Sequence, residues 1–139
     1  MARYDKITQT FRAPLNAAWP AGSALGNVGR VTAVSLNTSG RVVVGGAAAT
    51  DIVGVVVVDG PKAVGDIVDV MVAGEIVECT TTDITAMSPG DQVYAATTGQ
   101  LSDTATANKK VGLVVEVNST SGGSGGRLVV NCGGSGTGA

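Results

Sequence analysis

The stretch "IVGVVVVDG", Ile52 to Gly60, decides the fold, because Ile52, Val53, Val55, Val56, Val57 and Val58 are all apolar and only a glycine interrupts them. A strand points successive side chains to opposite faces, so a strand with one wet face alternates apolar with polar. This one does not alternate, and both of its faces need cover. Cover comes either from a barrel packed on itself or from a neighbouring subunit. Left open, such an uncharged β-branched run is an aggregation hazard. Burying one valine side chain contributes on the order of 1.5 kcal/mol or more. Val55, Val56, Val57 and Val58 are therefore the candidate oligomer contacts, in a ring of subunits.

The rest of the chain extends the same pattern. Short apolar runs, "VGRVTAVSL", "RVVVG", "IVDVMVAG" and "EIVECT", are separated by clusters of Gly, Asn, Asp and Ser. In "IVDVMV", Ile67, Asp69 and Met71 point one way and Val68, Val70 and Val72 the other. Turn signals every 8 to 12 residues between such runs indicate a compact all-β barrel or sandwich of short valine-rich strands. Composition agrees, since valine supplies 23 of the 139 residues and glycine 21, against four aromatic residues. The chain is long enough to bury one sizeable core. "TTTDITAMSPGD" holds one short helical turn capped by Thr82 or Asp83.

The valine run also returns. "GRVTAVSLNTSGRVVVGGAAATDIVGVVVVDG" and "DQVYAATTGQLSDTATANKKVGLVVEV" each read as a strand, a Gly turn, a short strand, a small-residue connection and then V-G-aliphatic-V-V. A third strand follows each copy, "IVDVMV" and "RLVVNC". We read this as an internal duplication of a three-strand unit. "NSTSGGSGG" from 118 to 126 is a hairpin loop, and residues 133–139 form a Gly-rich flexible tail.

Residues 1–22 differ from everything after them. Tyr4, Phe11 and Trp19 are three of the four aromatic residues, Arg3, Lys6 and Arg12 three of the nine basic ones, and Pro14 and Pro20 oppose a continuous helix. Large aromatics are costly to leave in water and are enriched as interface anchors. This segment reads as an extended partner-binding arm ahead of a β domain spanning 23–132, with Arg3, Tyr4, Lys6, Phe11, Arg12 and Trp19 as its contact residues.

Chemistry is sparse. The chain has no His, and hence no Ser-His or Cys-His pair and no imidazole ligand for a metal. Cys79 and Cys132 alone do not make a four-ligand zinc site, and read as reduced, buried thiols, with a disulfide as the other reading. Asp66/Asp69 and Glu75/Glu78 stand three apart, which on a regular strand puts them on opposite faces, so neither pair converges as a dyad. "GGSGG" lacks the Lys-Ser/Thr of a phosphate-binding loop. The net charge of −2 leaves no basic footprint for nucleic acid. No apolar stretch reaches the roughly 20 residues of a membrane helix, and "MARYDKITQTF" lacks the apolar segment of a secretion signal, so folding in a cytoplasm is expected. The expectation is a non-enzyme with no cofactor and no metal.

The C-terminal half resembles the small capsid decoration, or cement, proteins of tailed bacteriophages. The residues that carry the resemblance are Gly90-Asp91-Gln92-Val93-Tyr94-Ala95, the turn at Gly99, the run Gly112 to Glu116 and the last strand Arg127 to Val130. The earlier "AVGDIVDVMVAGEIVEC" is similar to the family's GD-x-V-x-V segment, so the match spans roughly residues 50–132. The resemblance implies a structural virion protein, made in the host cytoplasm, that coats the outer surface of the head. It also implies homotrimers near local threefold positions that bind the major capsid protein and reinforce capsomer junctions against packaged DNA. The arm matches no motif of that family, and the Gly-Ser loop is longer than its pattern requires. Rival classes are a tail or fibre component, a carbohydrate- or ligand-binding β module, and a small enzyme of trimeric β fold.

Overall fold

A computed structural model describes residues 9–20, 30–79, 87–117 and 126–132. The protein is all-β, built from two antiparallel five-stranded sheets packed together. The first sheet contains β1 (Thr10–Pro14), β2 (Val31–Leu36), β3 (Val42–Val44), β4 (Gly54–Val57) and β5 (Ile67–Met71), in the order β1-β5-β4-β2-β3. The second contains β6 (Ala73–Cys79), β7 (Gln92–Ala95), β8 (Leu101–Ser102), β9 (Lys109–Glu116) and β10 (Gly126–Asn131), in the order β6-β10-β9-β7-β8.

Adding five to each label of the first order gives the second. The repeated stretches of sequence occupy equivalent strands, with "VGVVVV" supplying β4 and "VGLVVE" the body of β9. The shared glycine has a shared cause. A Cβ on Gly54 would lie 2.6 Å from the Met71 carbonyl oxygen, and one on Gly112 would collide with the Val129 carbonyl oxygen. In each sheet that glycine lets the fifth strand approach the fourth closely.

The first sheet closes on itself. Beyond β1, Leu15 forms a parallel bridge with Val42 of β3, the far edge of the sheet. The Leu15 N–H donates to Asp66 O and the Asn16 N–H to Val42 O, both at 2.9 Å, so the chain hands over from β5 to β3 within one residue. The resulting barrel is filled by Ala13, Leu15, Trp19, Val34, Val42, Val56, Val58, Val68 and Val70. A second core, with Val31, Ala33, Ile52 and Val55 on one side and Val93, Val111, Val114, Leu128 and Val130 on the other, joins the two sheets. Strand β5 runs on into β6 through Val72, whose carbonyl accepts from the Cys132 N–H at 2.8 Å.

The run 52–60 thus obtains both covers from its own chain. Val55 enters the core between the sheets, while Val56 and Val58 enter the barrel, all at 3% exposure or less. The expected subunit contact through these valines is corrected: three of the four are interior, and Val57 alone reaches the surface, at 38% exposure.

The arm is corrected in the same way. Residues 10–14 pair with β5 over five positions, from Thr10↔Met71 to Pro14↔Ile67, and Trp19 is 1% exposed. The β domain therefore begins by residue 10, not at 23; Trp19 fills the barrel and Phe11 packs half-buried against its core. Arg3, Tyr4 and Lys6 lie outside the described residues, as do the expected helical turn at 82–83, loop positions 118–125 and the tail 133–139.

The register also settles the cysteines. Cys79 pairs with Gly126, whereas Cys132 follows Asn131, which pairs with Ala73. Six residues of strand, about 20 Å, separate the two positions, far beyond the roughly 7 Å that a disulfide spans between Cα atoms. Cys132 is a free, buried thiol. Burial pushes its pKa up to about 11, against an opposing pull from the charge of Lys109.

Candidate interaction surfaces

The two Gly-Asp sequences that carry the family resemblance fold into one and the same turn. In Ala63-Val64-Gly65-Asp66 the Asp66 N–H donates to Ala63 O at 3.1 Å, and Asp66 Oδ2 accepts from the Ala63 N–H at 2.8 Å. In Ser88-Pro89-Gly90-Asp91 the corresponding bonds, to Ser88, are 3.0 and 2.8 Å. Gly65 and Gly90 supply the left-handed backbone the turn requires, at φ 87° and 94°. A carboxylate capping its own turn launches the next strand, β5 or β7. Asp66 and Asp91 are accordingly architectural, and among the described residues no three His, Cys, Asp or Glu side chains gather to hold a metal ion.

The outer face of the second sheet presents the more distinctive chemistry. Lys110, Leu113 and Glu116 are three apart along β9, a spacing that on a regular strand alternates faces. Here they share one face, because one extra residue bulges out of each interval. The register skips Val115 between Arg127↔Glu116 and Leu128↔Val114, and skips Val111 between Val93↔Gly112 and Tyr94↔Lys110. Each bulge restores the face it would otherwise have flipped. Beside Leu113 stand Val129 and Gln92 in one row, and beyond Val129 stands Glu75. Val129 is 39% exposed. Gln92, Lys110, Gly112, Leu113, Val129 and Asn131 line an open depression of about 260 Å³.

At one end of this face Arg127 joins three strands. Its Nη2 donates to Glu75 Oε1 at 2.5 Å and its Nη1 to Glu116 Oε2 at 3.4 Å. The hydrogen bond to Glu75, then the charge of Glu75, then the bond to Glu116 hold the guanidinium above its ordinary pKa. At the other end Lys110 is exposed and makes no ion pair among the described residues.

A second surface lies on the first sheet where the second stops short of covering it. Val57, Pro14 and Ile67, the last 57% exposed, surround the surface ion pair of Arg12 Nε with Asp69 Oδ1 at 2.8 Å. Alongside is a cleft of about 100 Å³ bordered by Trp19, Val57, Asp59, Lys62 and Ile67. Of the expected arm contacts, Phe11 is half-buried against the barrel core, Arg12 is engaged with Asp69, and Trp19 is interior. Ile67 and the Lys110-Leu113-Glu116 row were not singled out by sequence. Ile67 was legible as one face of "IVDVMV", but the row depends on two bulges that leave no signal in the residues.

No protein-family model matches the chain, and no curated protein matches it at significant similarity.

Proposed function

We propose that this protein is a structural component of a tailed-phage virion that coats the outside of the head as an oligomer and reinforces capsomer junctions against the pressure of packaged DNA. The observation that carries the reading is the repeated Gly-Asp-x-Val pattern. Its two occurrences, at Gly65-Asp66 and Gly90-Asp91, build the same capped turn ahead of β5 and β7. Two open, partly apolar sheet faces, around Val57 and Ile67 and around Leu113 and Val129, are broad surfaces of the kind suited to lying on other proteins.

In this reading the major capsid protein is the partner, no cofactor is used, and the head contact draws on residues 1–8, where Arg3, Tyr4 and Lys6 combine positive charge with one aromatic ring. Many copies per particle convert weak individual contacts into firm attachment. The trimeric state implied by the family resemblance belongs to the same proposal.

The test is deletion of residues 2–8, which leaves β1 and Trp19 in place. Purified heads are incubated with the wild-type and shortened proteins, and bound copies are counted after sedimentation. Loss of coating by the shortened protein supports the reading, and coating equal to wild type rejects residues 1–8 as the contact. Imaging of particles carrying a tagged protein separates head from tail, and label confined to tails overturns the proposal in favour of a tail component.

A further inference from the structure

Strand β6 (Ala73–Cys79) ends the second sheet, and no described strand pairs with its outer side. Such an edge offers a row of open N–H and C=O groups, which native proteins cover or blunt. Leu15 joins the two ends of the first sheet, and β8, at the other end of the second, is only two residues long. The seven-residue edge of β6 is therefore the long one left to cover.

The register shows which of its peptide groups are open. Val130 stands opposite Gly74 and Leu128 opposite Ile76, and the Cys132 N–H donates to Val72 O at 2.8 Å. Gly74 and Ile76 therefore turn their peptide groups toward β10, and the alternate residues Ala73, Glu75 and Val77 turn theirs outward. The Ala73 N–H fixes the direction, because it donates to Gln9 O at 3.3 Å. The same carbonyl accepts from the Val72 N–H at 2.8 Å, so Val72 and Ala73 both stand opposite Gln9, as in a β-bulge.

Gln9 is thus the point at which the chain passes from β5 onto the open edge of β6. Since β1 runs antiparallel to β5, and β5 continues into β6, the residues before Gln9 are delivered to that edge pointing along it. Six extended residues span about 20 Å, so residues 3–8 match the length of residues 74–79. From the open edge, its position beside Gln9 and this reach, we propose that residues 3–8 of the same chain fill the edge of β6 as an added antiparallel strand. Continued past the bulge, the register sets Thr8 opposite Gly74, Ile7 opposite Glu75 and Asp5 opposite Val77. Ile7 and Asp5 then exchange backbone hydrogen bonds with Glu75 and Val77, while the Lys6 N–H turns to solvent. The pairing uses backbone alone and leaves the side chains for the head contact. It is read in solution without heads, so it stands or fails apart from the head-coating proposal.

The experiment is amide hydrogen exchange followed by NMR, on the full chain, the protein lacking residues 2–8, Ile7→Pro and Lys6→Pro. The Glu75 and Val77 amides are expected to be protected in the wild type and to exchange at least about tenfold faster in the deletion. Ile7→Pro, which removes the N–H that donates to Glu75 O, is expected to do the same. Lys6→Pro removes only a solvent-facing N–H, a position at which edge strands tolerate proline, and is expected to stay within about threefold of wild type. The Gly74 and Ile76 amides, turned toward β10, are expected to be unchanged in all four proteins, which verifies that the sheet is intact. Glu75 and Val77 amides that exchange as fast in the wild type as in the deletion overturn the inference, and so do equal effects of the two proline variants. Protection that rises with protein concentration between about 10 μM and about 1 mM also overturns it, because a second copy then supplies the strand.

Discussion

Replacing Trp19 by Ala separates the two roles that a tryptophan near a chain end can have. Trp19 is 1% exposed and closes the barrel with Leu15, Val56, Val58 and Val68 around it. Its backbone is tied separately, by N–H donation to Lys62 O at 2.8 Å and acceptance from the Lys62 N–H at 3.0 Å. The strand pairing thus survives the substitution and the missing indole leaves a cavity instead of a collapsed loop. Trp→Ala at such a site costs about 3–5 kcal/mol. With an unfolding entropy near 0.3 kcal/mol/K for a chain of this length, Tm falls by about 10–17 °C. Thermal unfolding followed by circular dichroism reads this directly. Trp19 is also the only tryptophan, so the fluorescence of the wild-type protein reports the same burial, with blue-shifted emission when folded and a red shift on unfolding. A Tm change under about 2 °C, the range of surface substitutions, together with red emission from the native protein, would refute a barrel plugged by this side chain.

Two further outcomes follow from the packing. Gly54→Ala drives a Cβ to 2.6 Å from the Met71 carbonyl oxygen and Gly112→Ala drives one into the Val129 carbonyl, so each is expected to cost about 1–3 kcal/mol or more. Gly40→Ala meets nothing within 4 Å and is charged only for its positive φ, about 1 kcal/mol; urea midpoints for Gly54→Ala no lower than those for Gly40→Ala would contradict the close strand approach. For Cys132, whose thiol ionises near 11 when folded against 9.0 ordinarily, the unfolded chain gives up its proton first as pH rises. Stability is unaffected below pH 9 and declines by up to about 2 kcal/mol between pH 9 and 11. Cys132→Val is expected to flatten that decline, and identical slopes for the two proteins would show the thiol to be hydrated.

Strand existence and the repeated three-strand unit were legible because they depend on local alternation and on turn residues, which each stretch of sequence carries by itself, whereas the order of strands in each sheet was not. The doubly covered valine run was legible as a demand for cover, but the identity of the cover was not. It comes from Leu15 and Trp19, about 40 residues earlier, and an aromatic side chain that fills a barrel has the same composition as one that anchors an arm. The outer-face row was hidden for a different reason. Lys110, Leu113 and Glu116 share a face only because Val111 and Val115 fall out of register, and a bulged valine reads in sequence like any paired one.

Three of the four valines of the run are covered within one chain, so its burial does not call for a neighbouring subunit. The valines that would have tied stability to subunit contact belong to the two cores, and the surfaces left for partners, around Ile67 and around Leu113, contribute little to either. Stability and binding therefore fall on different residues. Core changes such as Trp19→Ala are expected to lower Tm whether or not a partner is present. A domain whose cores are completed by its own residues can be folded before it meets a partner, which suits the proposed coating of a completed particle by preformed oligomers.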